Sequence, residues 1–104
     1  MSDKILSTNE IAARVRPIAE KYRVQVVYLF GSYARGEADE TSDLDFLVFG
    51  GEHFKPTLIF AFAEELRAAL EKEIDVFEIS EINTDSAFYN TIMKERLQVA
   101  RALR

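Results

Sequence analysis

The most constraining feature of the sequence is an apolar segment, DLDFLVF at 43–49, that begins with two aspartates. Its nearly continuous run of apolar residues is typical of a strand that is covered on both faces. A carboxylate beside such a strand is costly unless a partner compensates its charge. Asp43 and Asp45 therefore need an explanation, and the segments around them provide one.

The composition is that of an ordinary globular protein. The chain has 104 residues, 48% of them apolar and 30% charged, so we expect residues 1–104 to form a single domain. There is no cysteine, which excludes disulfides and thiolate metal sites. A bound metal would use oxygen ligands or the single His53, and such ligands favour hard ions like Mg²⁺.

The net charge and the hydropathy limit the classes of partner. A net charge of −5 argues against a protein held broadly on nucleic acid, so direct nucleic-acid binding is not expected. The N-terminal segment lacks the apolar core of a signal peptide, and the longest apolar run, LIFAFA at 58–63, is too short to span a bilayer. We therefore expect no membrane association and a cytoplasmic location.

Hydrophobic periodicity predicts alternating helices and strands. Ser7 and Glu10 have the spacing of a capping box ahead of a helical apolar pattern. The predicted elements are a helix at 8–22, strands at 24–30, 43–49 and 74–79, a helix at 57–72 and a mostly helical stretch from Asp85 onward. The predicted fold class is α/β (α+β), with a small three-stranded mixed sheet and helices packed on it.

The last eleven residues, KERLQVARALR at 94–104, are basic in an acidic chain. One interpretation is a solvated helix end whose cations suit the helix dipole. The other is a docking surface for an acidic partner or RNA. On the second interpretation, Arg96, Arg101 and Arg104 would contact a partner protein.

Three sequence features are expected to meet at one site. Gly31-Ser32 ends the first strand, and Asp43 and Asp45 follow after ten intervening residues. Asp75 begins the third strand and would lie beside the pair if the second and third strands are neighbours. Carboxylates that lie close together repel one another, and a bound Mg²⁺ ion compensates this repulsion. Glycine and serine at a turn suit a phosphate, so the sequence predicts a metal–triphosphate site.

The segment YLFGSYARGEADETSDLDFLV resembles the nucleotidyltransferase superfamily of DNA polymerase beta, and in particular its minimal nucleotidyltransferases. The resemblance is firm from Val24 to Val48 and extends loosely to Asp75. It implies transfer of a nucleotide, most often AMP from Mg-ATP, to a hydroxyl of a partner protein. Many such proteins are antitoxins of a HEPN-domain toxin, usually a ribonuclease, so the implied partners are a HEPN-type toxin and a nucleoside triphosphate.

The resemblance also implies roles for single residues. It assigns Gly31 and Ser32 to the triphosphate, and it assigns Asp43, Asp45 and Asp75 to catalysis and to the binding of two Mg²⁺ ions. Arg35 could contact phosphate, or it could brace the loop by pairing with Asp39 or Glu40.

Two functions from different classes are compatible with these features. The first is an enzyme, a metal-dependent nucleotidyltransferase that modifies its partner as a protein adenylyltransferase. The second is a non-catalytic antitoxin that neutralises its partner by complex formation, and the small size of the chain favours it. Both require a hetero-complex.

Overall fold

The computed structural model describes residues 4–102, and the predicted partner contact of Arg104 lies outside them. The elements are α1 (Thr8–Lys21), β1 (Val26–Phe30), α2 (Gly31–Arg35), β2 (Leu44–Phe49), α3 (Ile59–Leu70), β3 (Ile74–Glu78), α4 (Ala87–Glu95) and β4 (Leu97–Arg101), with 3-10 turns at Pro56–Leu58 and Ile79–Glu81. Within residues 4–102, no helix combines the length and the apolar character needed to cross a bilayer.

Serine side chains cap the starts of α1 and α4. The capping box predicted for α1 is confirmed: the Ser7 hydroxyl accepts the Glu10 N–H at 3.1 Å, and the Glu10 carboxylate accepts the Ser7 N–H at 3.2 Å. Both bonds satisfy first-turn donors that have no partner within the helix. At α4, the Ser86 hydroxyl accepts the Tyr89 N–H at 3.1 Å.

The four strands form one mixed sheet in the order β3-β2-β1-β4. β1 is antiparallel to both β2 and β4, whereas β2 is parallel to β3. Parallel neighbours need a crossover connection, and α3 provides it between β2 and β3. The predicted α+β class and mixed sheet are confirmed.

The two faces of the sheet are covered unequally. α1 and α3 pack on one face and bury the main core, which includes Val15, Phe46 and Phe62. The other face is covered by α4, whose fully buried Ile92 contacts the smaller cluster around Phe30 and Leu47. The helices that provide most of the buried volume therefore lie on one side of the sheet.

The predicted count of three strands is wrong, because the chain returns to the sheet after α4. The helical stretch expected from Asp85 onward ends at Glu95, and Arg96 is already extended with ψ 145°. β1 is buried and needs backbone partners along both edges, and β2 provides them on one edge only. Leu97–Arg101 pairs with the other edge, and its β-branched Val99 suits a strand.

Because β4 is a strand, neighbouring residues in it should respond differently to a charge. Val99 is 2% exposed and Gln98 is exposed. We expect Val99→Asp to lower the free energy of unfolding by about 3 kcal/mol, since it buries a carboxylate without a partner. Gln98→Asp is the matched control and should change it by less than about 0.5 kcal/mol. Urea unfolding measures both, and equal effects would contradict the strand.

Candidate active site

Parallel pairing places two of the predicted acids side by side. Asp45 of β2 is in register with Asp75 of β3, and Phe30 of β1 is opposite Asp45 on its other side. Residues paired across a sheet lie on the same face. Asp45 and Asp75 therefore share the face that α4 partly covers, next to the Phe30–Leu47 cluster.

The carboxyl group of Asp45 is the most perturbed acid of the site. Partial burial raises its pKa to about 6, with further contributions from the neighbouring charges of Asp75, Asp43 and Glu95. The cation of Arg35 acts in the opposite direction without cancelling them. The carboxylate form of Asp45 thus lacks sufficient positive charge around it, which is the condition that a bound cation would correct.

Asp43 lies immediately before β2 at the end of an ordered loop. In that loop, the carboxylate of Asp39 accepts hydrogen bonds from the N–H and hydroxyl of Thr41 at 2.9 and 2.8 Å and from the Ser42 hydroxyl at 3.2 Å. These bonds hold the pKa of Asp39 below its usual value. Asp39 thus stabilises the loop that leads into Asp43.

The acids are adjacent without forming a finished metal site. Among residues 4–102, no three His, Cys, Asp or Glu side chains converge closely enough to hold a metal ion. Asp43 and Asp75 are exposed, whereas Asp45 is half-buried. Bringing the carboxylates together would need side-chain rotation at the two exposed positions, with the backbone kept in its register.

Gly31 lies directly against Asp45. Its φ is +76°, a region that side chains of L-residues disfavour. A Cβ atom at this position would approach Asp45 Oδ2 to 2.3 Å, well inside van der Waals contact. Glycine is therefore required at position 31 for two reasons, the positive φ of the backbone and the proximity of the Asp45 carboxylate. Ser32 follows as the second residue of α2 and is partly exposed.

Arg35 pairs with two carboxylates, and neither is one of the predicted partners. Its Nε donates to Glu37 at 2.8 Å, and its Nη1 lies 3.2 Å from Glu95 Oε2. Sequence reasoning missed Glu95 because it is 60 residues away along the chain, at the end of a helix whose length was overestimated. Neither Asp39 nor Glu40 pairs with Arg35, and the hydroxyls of Thr41 and Ser42 bind the Asp39 carboxylate instead.

Two cavities lie elsewhere in the described part of the chain. They have volumes of about 540 and 500 Å³, and Arg23, His53 and Arg101 line both. These residues surround the start of β1, whereas Gly31 and Asp45 lie at its far end. Neither of these two cavities is lined by the candidate site residues.

The chain belongs to the polymerase beta nucleotidyltransferase family, whose model matches residues 13–101. This membership confirms the resemblance and gives the chain the class of an enzyme that uses a nucleotide as substrate. A relative from Methanocaldococcus jannaschii, described as a candidate protein adenylyltransferase, is 40% identical over 78 residues, 75% of this chain and 84% of the relative. The protein adenylyltransferase MntA of Thermococcus cleftensis is 34% identical over 90 residues, 86% of this chain and 88% of the relative.

Solved structures share the fold. A crystal structure of a toxin–antitoxin complex with AMP-PNP matches with a TM-score of 0.71 and 22% identity, covering 93% of this chain and 75% of that one. A complex of tri-AMPylated Shewanella oneidensis HEPN toxin with its MNT antitoxin matches with a TM-score of 0.68 and 18% identity, covering 91% and 73%. Similarity at this level of identity establishes the nucleotidyltransferase fold.

The raised pKa of Asp45 implies that the free energy of unfolding depends on pH. The folded state binds the proton of the Asp45 carboxyl more tightly than the unfolded chain does. The protonated carboxyl therefore stabilises the fold below about pH 4, and this stabilisation is lost as the pH rises through about 6. Asp45→Asn should therefore change stability little near pH 4. At pH 8 it should raise the free energy of unfolding by about 1 kcal/mol, a figure discounted for solvent screening.

Urea unfolding at the two pH values, with and without Mg²⁺, measures this effect. Mg²⁺ should stabilise the wild type at pH 8 and stabilise Asp45→Asn less. Asp85→Asn, at an exposed aspartate ahead of α4, is the control for removing a carboxylate outside the candidate site and should leave the response to Mg²⁺ unchanged. A destabilised Asp45→Asn at pH 8 would contradict the electrostatic account.

Gly31, the first residue of α2, and Gly36, the residue after its end, allow a second test. Gly31 and Gly36 both have positive φ, +76° and +74°, but a Cβ at Gly36 would meet no atom within 4 Å. Alanine at either position should cost about 1 kcal/mol of stability through backbone strain. Only Gly31→Ala should also displace Asp45 and reduce the stabilisation by Mg²⁺. If thermal denaturation shows equal Mg²⁺ responses in both variants, Gly31 does not shape the site.

Proposed function

We propose that the chain transfers AMP from Mg-ATP to a hydroxyl group of a partner protein, as the antitoxin of a HEPN-type toxin. The observation that carries this proposal is the register of β2 and β3, which sets Asp45 beside Asp75 and against the backbone of Gly31. A site of this kind places oxygen ligands for a metal next to a turn that accepts a triphosphate. The names of the relatives favour adenylyl transfer to a protein.

The described residues fit a hard metal ion. The candidate ligands Asp43, Asp45 and Asp75 are all carboxylates, which Mg²⁺ prefers. The raised pKa of Asp45 shows that its ionised form is short of positive charge. We propose that these three acids hold Mg²⁺, as two ions. Bound there, Mg²⁺ would neutralise phosphate charge and lower the pKa of the attacking hydroxyl.

The roles of the chain's own residues in the transfer follow from their positions. Gly31 leaves room for the triphosphate beside Asp45, and Ser32 offers its hydroxyl and N–H as donors. The hydrogen bonds of Arg35 within residues 4–102 use its Nε and Nη1 atoms. Its Nη2 group is therefore a donor for phosphate oxygens. Asp75, the more exposed acid of the pair, takes the proton of the acceptor hydroxyl. The acceptor oxygen attacks the α-phosphorus, and the bond to pyrophosphate breaks.

The acceptor is proposed to come from a partner. Asp75 is exposed at one end of the sheet face, so an external hydroxyl can reach it. The MntA protein of Shewanella oneidensis is 29% identical over 79 residues, 76% of this chain, and the chain spans 55% of its length. Fold relatives are solved as complexes with toxins, one of them AMPylated. We propose that this chain also works in a hetero-complex, as one domain spanning residues 1–104 and in the cytoplasm.

A label-transfer assay tests the proposal. The chain is incubated with a candidate HEPN-type partner protein, Mg²⁺ and ATP labelled at the α-phosphate, and the Asp43→Ala/Asp45→Ala double variant is assayed in parallel. We expect label on the partner with the wild type, and at least about a hundredfold less with the variant, since a metal site contributes several kcal/mol to the transition state. Asp85→Ala, at an exposed aspartate, should transfer as the wild type does.

The assay also separates the two classes of function. Label on the partner that disappears with the double variant supports the transferase. If no label appears and both proteins neutralise the toxin equally, the transferase proposal fails and complex formation alone explains neutralisation. Label placed on the chain itself would contradict a partner acceptor.

A further inference from the structure

A fourth carboxylate, that of Glu95, takes part in the candidate site from the far end of the chain. Its Oε1 accepts the N–H of Gly31 at 2.9 Å, and both of its oxygens lie within 3.3 Å of Arg35 Nη1. The side chain is only 16% exposed, whereas that of Arg35 is 44% exposed. Glu95 thus contacts two of the residues assigned to the nucleotide and is the more buried member of its ion pair.

The position of Glu95 is costly for a carboxylate. It is the last residue of α4, where the helix dipole disfavours a negative charge. Its charge also contributes to the raised pKa of Asp45. A glutamate that served only to end the helix would be better replaced by a neutral or basic residue. The hydrogen bond to Gly31 and the pair with Arg35 are the compensating interactions.

Strand register explains why this side chain meets Gly31. β1 and β4 pair antiparallel with Leu29 opposite Leu97, so two further steps along the ladder set Gly31 opposite Glu95. At that point the backbone of Glu95 already belongs to α4 and lies outside the β1–β4 ladder. The carboxylate of Glu95, instead of a backbone carbonyl, accepts the N–H of Gly31.

We propose that Glu95 is a positioning residue for nucleotide binding, which fixes the Gly31-Ser32 turn and the direction of Arg35. This inference rests on the proposed nucleotide site and extends it to α4. Glu37 accepts a hydrogen bond from Nε of Arg35, and Glu95 accepts one from Nη1. The two carboxylates together fix the orientation of the guanidinium. The Nη2 edge is then presented to phosphate in a fixed orientation, which lowers the ordering cost of binding.

The test compares Glu95→Ala and Glu95→Gln in the full chain with a fluorescent ATP analogue and Mg²⁺. We expect Glu95→Ala to weaken binding of the analogue about tenfold, the effect of losing a charged hydrogen-bond partner. Glu95→Gln keeps an acceptor for the Gly31 N–H and should recover part of that loss. Glu65→Gln is the matched control, since Glu65 also joins two elements, through Lys21 of α1 at 2.9 Å, but lies on α3.

Amide exchange separates a local effect from unfolding. In Glu95→Ala, the Gly31 N–H should exchange at least about tenfold faster, while the N–H of Val27 in the middle of β1 keeps its protection. Equal acceleration at both residues would mean a general loss of stability and would overturn the inference. In the transfer assay, the KM for ATP should rise in Glu95→Ala while the rate at saturating ATP changes less than about threefold.

The remaining outcomes are equally decisive. Binding in Glu95→Ala that equals the Glu65→Gln control would overturn the positioning role. Tighter binding would also overturn it, because the carboxylate would then be competing with phosphate for Gly31 and Arg35. If the wild type binds the analogue but labels no partner, the proposed transfer fails, and the binding comparison still decides the role of Glu95.

Discussion

The parallel alignment of β2 with β3 determines the chemistry available to this fold. It holds the Cα atoms of Asp45 and Asp75 in register, so that two carboxylates share one face whether or not a cation is present. Their mutual repulsion, together with the partial burial of Asp45, is visible in the raised pKa of Asp45. The glycine at position 31 accommodates this crowding, because any side chain there would collide with Asp45.

The main hydrophobic core and the candidate site lie on opposite faces of the sheet. α1 and α3 bury the large core on one face, so the apolar contribution to folding does not depend on the acids on the other face. Within residues 4–102, α4 and a small cluster around Leu47, with Ile79 and Ile82 packed against it, cover the acidic face. A site that is unfavourable in isolation can therefore be maintained, because its electrostatic cost is small beside the free energy contributed by the opposite face.

Local signals in the sequence were sufficient for much of this arrangement. The capping residues Ser7 and Glu10 located the first helix, and the apolar run after Asp43 located β2. Contacts between distant segments were not predictable in the same way. β4 forms because the open edge of β1 needs hydrogen-bond partners, and no pattern within LQVAR expresses that need. Glu95 could be assigned only after α4 was seen to end there, since its partner Gly31 is 64 residues away.

The pairing of β1 with β4 also has a consequence for how the chain folds. The central strand, Val26–Phe30, obtains its second neighbour only from Leu97–Arg101. Closing a loop of that length is slow compared with forming a local hairpin, so the sheet's last ladder should form late. During synthesis on the ribosome, β1 keeps one edge unpaired until the final strand has emerged. That interval is the time at which the nascent protein is most exposed to misassociation through this edge.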